Sequence, residues 1–359
     1  MTDGVRGFSQ EELLARRSSP LELVAAEEWI SGRRIAVTGA AGSVGAPLVH
    51  LLLQLQPAEL LLVDHHEHTF FRLRQELGPH AAVPIQWVLA DVRDRRKLEM
   101  VFRRARPEVV FHLAAYKHVP LGEENPDQTV EVNLGGTRGL IEAAAEFDVR
   151  RFVYPSSDKA VNPPSVYGST KKIAEVLTIA ADRAFSTGFS VTRFVNIVGT
   201  RGSVIETLSA QIAAGKPLTL TDPAMTRYWI TMPEATRLLV QTASAPESGI
   251  IFAPDPGPPI NLAEMARHLF RLLAPDRGEC PIQFIGPRPG ERMHEILLSD
   301  TEAALSTPYP GIVRVATARG DLPGYQETSR HVDALLEMAR SGETELLRRR
   351  ILDLANSWQ

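Results

Sequence analysis

The chain is predicted to be an α/β protein, a doubly wound parallel sheet with a smaller C-terminal lobe. Three observations carry that prediction. From residue 33 onward, short apolar runs alternate with stretches long enough for helices, the order of repeated βαβ units. The first run ends in a glycine-rich turn, Thr38-Gly39-Ala40-Ala41-Gly42-Ser43-Val44-Gly45, that leads into a helical pattern. Beyond residue 200 prolines crowd the chain, at Pro254, Pro256, Pro258 and Pro259 and again at Pro281, Pro287 and Pro289, which favours short, loop-rich elements.

In chain order, the runs 34–38, 59–64, 84–91, 108–115, 151–157 and 190–199 read as buried strands. Between them, 44–55, 94–105, 126–147 and 167–185 read as helices. Asn125 is the expected N-cap of the third, with Pro126 in its first position. Residues 1–30 are expected to form a helical arm and 31–200 the main sheet domain, with a segment near 230–252 returning to the sheet. An interleaved lobe spans 201–326. In the tail, 327–359, Leu335, Leu336, Met338, Leu346, Leu347, Ile351 and Leu354 recur at helical spacing.

Composition narrows the function. Across 359 residues, 44% hydrophobic and 23% charged content permits a sizeable core. A net charge of −4 argues against nucleic acid or an anionic membrane surface as partner, so a phosphorylated ligand must be held by local cations. The lone cysteine, Cys280, cannot form an intrachain disulfide, which fits a reducing compartment. No apolar run approaches the ~20 residues that span a bilayer. The first thirty residues carry Glu11, Glu12, Glu22, Glu27 and Glu28 instead of a signal-peptide core. A cytoplasmic protein that does not bind membranes is expected.

The glycine turn points to a dinucleotide. Glycine allows a tight turn and lets backbone N–H groups approach a pyrophosphate at a helix N-terminus. Its position between a strand and a helix makes 31–200 a Rossmann-type NAD-binding domain, with Gly39, Gly42, Ser43, Val44 and Gly45 at the phosphates. Asp64 ends the next strand about 20 residues on. It is placed to accept hydrogen bonds from the adenosine ribose and to repel a 2′-phosphate, so NAD is expected in preference to NADP. Arg72 and Arg74 nearby keep NADP open. His65 lies at the adenosine, and Asp91 and Val92 bracket the adenine. Leu113, Ala114 and Ala115 line the cofactor or simply pack the core. The run His65-His66-Glu67-His68 has a metal-like composition without a matching cluster elsewhere. It reads as a polar loop, and no metal is expected.

The chemistry is expected downstream. Tyr167 and Lys171, four apart at the start of a helix, share a face. A tyrosine with its ordinary pKa of ~10 is a poor base at neutrality, and roughly 4 kcal/mol of preferential phenolate stabilisation is needed to make it one. A Lys171 ammonium and a positive nicotinamide ring are the expected sources. Ser156-Ser157-Asp158-Lys159 closes the fifth strand at the carboxyl edge where α/β proteins bind ligands. An acid beside a potential base is more than a simple alcohol oxidation requires.

These motifs resemble the CapD-type nucleotide-sugar 4,6-dehydratases, a branch of the extended short-chain dehydrogenase/reductase superfamily. The matching stretches are Val37 through Gly45, Ala114-Ala115-Tyr116-Lys117-His118-Val119-Pro120 and Ser157-Asp158-Lys159-Ala160-Val161-Asn162-Pro163. Further on come Arg201-Gly202-Ser203-Val204, Thr221 through Tyr228, and Pro289-Gly290-Glu291. The resemblance implies that Tyr167, helped by Ser157, takes the proton of the sugar 4-hydroxyl during oxidation at C4. Lys159 then removes the C5 proton while Asp158 protonates the departing 6-hydroxyl, and hydride returns to C6. Lys159 must be neutral for this, which calls for burial. Lys117, Asn196, Arg201, Gly202, Ser203, Val204, Arg227, Arg288 and Glu291 are the implied substrate contacts, with Arg227 and Arg288 as forks for the pyrophosphate.

The resemblance also implies a UDP-hexose, by default UDP-N-acetylglucosamine, and a homo-oligomer, dimer or hexamer, for which the apolar helix faces after Val44 and Pro126 are candidates. Val195 stands where the family has glycine and Gly122 where it has methionine, so the sugar stays open. Two other readings remain. A nucleotide-sugar 4-epimerase or 4-oxidase needs Tyr167 and Lys171 but no water-expelling pair. A non-catalytic NAD-binding regulator needs neither.

Overall fold

The computed structural model describes residues 8–18, 23–78, 83–288, 290–317 and 322–358; Pro289 and the parts of the expected arm at 1–7 and 19–22 lie outside the described residues. The central sheet has nine strands: β1 (Arg34–Thr38), β2 (Glu59–Asp64), β3 (Ile85–Leu89), β4 (Val109–His112), β5 (Arg151–Ser157), β6 (Gly188–Phe194), β7 (Ile251–Pro254), β8 (Glu302–Ser306) and β9 (Ile312–Thr317). Their order is β8-β9-β7-β6-β5-β4-β1-β2-β3. The strands from β7 through β3 pair in parallel, and β9 and β8 add an antiparallel edge.

Alternation of side chains along each strand feeds two cores, one on either face. Ala36, Leu61, Val63, Val110, Phe152, Tyr154, Phe189 and Val191 join one. Ile35, Val37, Leu60, Leu62, Val109, Phe111, Val153 and Phe252 join the other. The first six strands overlap the expected runs, although β6 starts earlier, at Gly188, and ends at Phe194. The expected returning segment is mostly helix 232–244, and β7 begins only at its end. β8 and β9 were not anticipated. Four of the five β8 residues are exposed, so no apolar run marks it.

Helix α1 (Gly45–Gln54) leaves β1, and α2 (Glu67–Leu77) leaves β2. The second was missed because only Phe70 and Leu73 of it are buried, too few for a visible stripe. His66 caps it, its Nδ1 accepting from the Thr69 N–H at 3.3 Å. The histidine run is therefore a cap and first turn, not a loop throughout. Helix α3 (Arg95–Ala105) follows β3. The helix expected over 126–147 is composite: a short α segment Pro126–Val130, a π-helical turn Glu131–Gly136, and α4 (Thr137–Glu146). Asn125 does not cap it. Its side-chain amide donates back to the Leu121 carbonyl at 3.1 Å.

Helix α5 (Val166–Ala184) is buried along most of its length, because α7 (Tyr325–Ser341) and α8 (Thr344–Ser357) lie over it. Leu336 of α7 sits against Gly135, where an added Cβ would stand 3.1 Å from Leu336 Cδ2. The apolar face after Pro126 is thus covered by the chain's own tail. Leu48, Val49 and Leu52 of α1 are spent in the sheet core beside α6 (Met232–Ser244). Neither face is free for assembly, because intrachain packing already satisfies both. A third apolar cluster, with Ile205, Leu208, Leu218, Trp229, Leu269 and Phe270, forms the smaller lobe, and Leu13 and Leu14 plug into it. Among the described residues no helix is long and apolar enough to cross a membrane.

Candidate active site

Strand order reverses between β1 and β4, and the loops leaving these two strands open the crevice in which such sheets bind ligands. At Gly39, with φ +67°, an added Cβ would stand 2.7 Å from the Ala114 nitrogen, so glycine lets the two loops touch. A Cβ on Gly42 or Gly45 would stand 2.9 or 2.1 Å from the Gly39 carbonyl oxygen. The N-terminus of α1 has no side-chain cap, whereas α5 and α6 are capped by Ser165 and Thr231. Uncapped amides behind a glycine turn suit a pyrophosphate.

Asp64 is buried at the end of β2, one oxygen accepting from the Ala41 N–H and the other from the His66 N–H, both at 2.9 Å. His65 is exposed beside it. Asp91 grips Arg93 through both oxygens, a pairing that holds its carboxyl below the usual range. Val92 is buried against Gly136, and Leu113, Ala114 and Ala115 line the crevice half-buried. These residues fit a dinucleotide.

A second group bridges this turn to the lobe. The Arg201 guanidinium donates to the Ala41 carbonyl at 2.5 Å, its backbone N–H to Ser43 Oγ at 3.1 Å, and Lys117 Nζ to the Arg201 carbonyl at 2.8 Å. Gly202, at φ +67°, approaches His118, and Ser203 caps the helix Val204–Ala213. Asn196 holds the Tyr228 carbonyl through its side-chain amide at 3.1 Å.

At the carboxyl end of β5 the structure gathers the expected acid–base residues. Ser157 Oγ donates to Asp158 Oδ1 at 2.8 Å and lies close enough to the Tyr167 phenol to favour its ionised form. Lys159 Nζ donates to the same Asp158 oxygen at 3.1 Å. Burial raises the Tyr167 phenol, and Lys159 and Ser157 pull against it. Burial outweighs them, so the phenol stands above its ordinary range where a lowered one was expected, and the ammonium that opposes burial in this structure is that of Lys159. Lys171 points to the β5 backbone, donating to the Pro155 carbonyl at 2.8 Å over the Tyr154 ring, and burial brings it down to about 7.

Asn133, in the π-helical turn, clamps this helix to the loop after β4. It accepts from the Tyr116 N–H and donates to Thr170 Oγ1. His112 joins Thr38 to Thr137 behind the site, and burial keeps it neutral down to about pH 3.

One residue escaped the sequence reading. Glu295, from the lobe's last loop, places Oε1 3.0 Å from Lys159 Nζ and 3.5 Å from Arg227 Nε. Its only signal was proximity to the Pro289-Gly290-Glu291 motif. The consequence is a correction. Burial opposes charge on Lys159, but Asp158 and Glu295 outweigh it and hold the ammonium well above its ordinary range. Lys159 is not neutral here. The two carboxylates diverge: burial raises Asp158, while Lys159 and Arg227 overcome burial at Glu295 and keep it ionised.

Arg227 also departs from the free fork expected of it. It is 9% exposed, and its guanidinium donates to the Thr226, Arg292 and Met293 carbonyls as well as facing Glu295. It positions the loop that carries Glu295. Arg288 is exposed on the turn braced by Glu291, whose Oε2 accepts from Thr221 Oγ1 at 3.3 Å. Gly122 lies 3.8 Å from Tyr167 measured from an added Cβ, so it borders the site. Val195 is buried in the sheet core instead.

Fold and site together define an extended short-chain dehydrogenase/reductase. The chain belongs to the polysaccharide biosynthesis protein family, whose model matches residues 35–317. It is 38% identical over 323 residues to the probable polysaccharide biosynthesis protein EpsC of Bacillus subtilis, a match covering 89% of this chain and 54% of that protein. It thus spans about half the length of that relative. It is 33% identical to a UDP-N-acetylglucosamine 4,6-dehydratase (inverting) of Campylobacter jejuni, across 77% of this chain and 80% of the relative. Among solved structures, Pen from Bacillus thuringiensis superposes with a TM-score of 0.75 at 28% identity, covering 82% of this chain and 92% of that one.

Proposed function

We propose that this protein is an NAD-dependent nucleotide-sugar 4,6-dehydratase acting on a UDP-hexose, with UDP-N-acetylglucosamine as the first candidate. One observation carries the reading. An ionisable triad, with Lys159 3.1 Å from Asp158 and 3.0 Å from Glu295, is hydrogen-bonded through Asp158 to Ser157, beside the Tyr167 phenol. Alcohol oxidation or 4-epimerisation needs the tyrosine alone; expelling water from C6 needs an acid and a base as well. The Campylobacter jejuni relative supports the same reaction and substrate.

When bound, the nicotinamide stores the C4 hydride and delivers it to C6. Tyr167 removes the 4-hydroxyl proton, and the resulting ketone acidifies C5. Asp158, whose carboxyl burial raises, is the group placed to give a proton to the leaving 6-hydroxyl. Ser157, hydrogen-bonded to Asp158 and beside the Tyr167 phenol, stands between the two groups, so the proton taken at the 4-hydroxyl can replace the one lost from Asp158. The 6-hydroxyl then leaves as water with no net demand on solvent protons. Asp64 favours NAD over NADP by facing the ribose 2′-position. The test is incubation with a panel of nucleotide sugars followed by mass spectrometry. Loss of one water from a UDP-hexose is expected, and a product of unchanged mass with an altered C4 would instead make the protein an epimerase.

A further inference from the structure

The dehydratase reading needs Lys159 as a free amine at the moment C5 is deprotonated, yet the structure holds it as an ammonium between two carboxylates. The groups facing it are Asp158 at the end of β5, Tyr167 on α5, Arg227 in the lobe, and Glu295 with Arg292 on the last loop. Asp158 and Glu295 each commit one oxygen to Lys159. Their other oxygens, Asp158 Oδ2 and Glu295 Oε2, are buried without a hydrogen-bond partner. An unpaired buried carboxylate oxygen is costly, and its persistence in two adjoining groups marks a place where protons are meant to move.

We propose that Glu295 is the proton acceptor for Lys159, a positioning residue that acts through the lysine by taking the ammonium proton and freeing the amine. This rests on the dehydratase reading. Asp158, entering the elimination as a neutral acid, withdraws one of the two negative charges that hold Lys159. The Lys159–Glu295 hydrogen bond then remains, and once bound substrate covers the partly exposed lysine a neutral amine and carboxyl compete with the ion pair. The proton moves from Nζ to Oε1, leaving both groups neutral. The amine takes the C5 proton, the C5–C6 double bond forms, and the C6–O bond breaks as Asp158 protonates the hydroxyl to water. When hydride reaches C6, the Lys159 ammonium returns a proton to C5, and the Glu295 carboxyl returns its own to Lys159. Every proton is accounted for within the site. Glu295 is held beside Lys159 by a lobe loop tied down by Arg227 and by Arg292, whose guanidinium donates to the Val161 carbonyl at 2.8 Å.

The experiment compares the parent with Glu295→Gln and Glu295→Asp by two readouts. NMR of isotope-labelled lysine follows the Lys159 amine through pH. In Glu295→Gln it should titrate about one pH unit or more below the parent, because a carboxylate has been removed. Solvent deuterium incorporation at C5 of the product follows the base. At neutral pH it should fall about 100-fold in Glu295→Gln and recover about tenfold per pH unit as solvent deprotonates the lysine. Glu295→Asp should restore part of the neutral rate, and oxidation at C4 should persist in both variants. An unmoved Lys159 titration, or loss of C4 oxidation and C5 exchange alike without alkaline recovery, overturns the proposal. Failure of the parent to dehydrate any nucleotide sugar would overturn the functional reading instead, and the NMR titration would still decide whether Glu295 controls the lysine.

Discussion

Two buried ion clusters, each joining the sheet to the chain's later segments, are satisfied very differently. Arg193 on β6 meets Glu175 on α5 and Glu302 on β8. Its Nε and Nη2 grip Glu175 at 3.0 and 2.9 Å, Nη1 and Nη2 grip Glu302 at 2.8 and 2.9 Å, and Nη1 also holds the Leu297 carbonyl. All five guanidinium donors are used. The Asp158–Lys159–Glu295 cluster buries both its carboxylates, keeps Lys159 24% exposed, and leaves an oxygen open on each carboxylate. Buried charge alone therefore does not mark chemistry; in this cluster unfilled bonding capacity coincides with the candidate acid–base residues. The saturated cluster is a rivet that fixes α5, and with it Tyr167, while the unsaturated one stays ready to exchange protons.

The largest expected effect lies in the unsaturated cluster. Asp158→Asn should slow water elimination about 10²- to 10⁴-fold, as expected for loss of a positioned acid, while oxidation at C4 continues. Mass spectrometry should find an oxidised, undehydrated sugar, and the unfolding free energy from denaturant titration should stay within about 1 kcal/mol of the parent. Normal dehydration by this variant would remove the distinction between the clusters.

Arg193→Met reverses the pattern. It strands two carboxylates in the interior and should cost about 3–5 kcal/mol of stability by denaturant unfolding. Mild destabilisation would mean that the rivet is dispensable.

A smaller effect is expected at Asp64, a third buried carboxylate with both oxygens occupied by backbone amides. Asp64→Ala should narrow the preference for NAD over NADP roughly tenfold, the worth of one charge-assisted hydrogen bond of about 1.5 kcal/mol. Binding titrations with both cofactors measure it. Tighter NADP binding by the parent would reassign this carboxylate to loop structure alone.

What the sequence revealed follows the same division between local and distant partners. The glycine turn, the first six strands and the Tyr167–Lys171 spacing are local patterns, set by strand and helix periodicity within a few residues, and they were legible. Glu295 was not, because its meaning depends on Lys159, far away in the chain. The charge state of Lys159 was misjudged for the same reason, since burial alone would neutralise it and the second carboxylate reverses the sign. Arg227 looked like a phosphate fork because its exposure and carbonyl partners are tertiary facts. The edge strand β8 is mostly exposed, and β9, though apolar at Ile312, Val313 and Val315, pairs antiparallel at the far edge, a long-range placement its local pattern does not reveal. The tail's apolar spacing was visible, but not that it would cover the helix after Pro126.

The central claim is that oxidation at C4 is diverted into elimination before the hydride can go back. The direct measurement is the fate of deuterium placed at C4 of the nucleotide sugar, read by NMR of the product. The account predicts the label at C6 of a 4-keto-6-deoxy sugar, with solvent-derived hydrogen at C5. Deuterium retained at C4 of an isomerised sugar whose 6-hydroxyl is intact would contradict it.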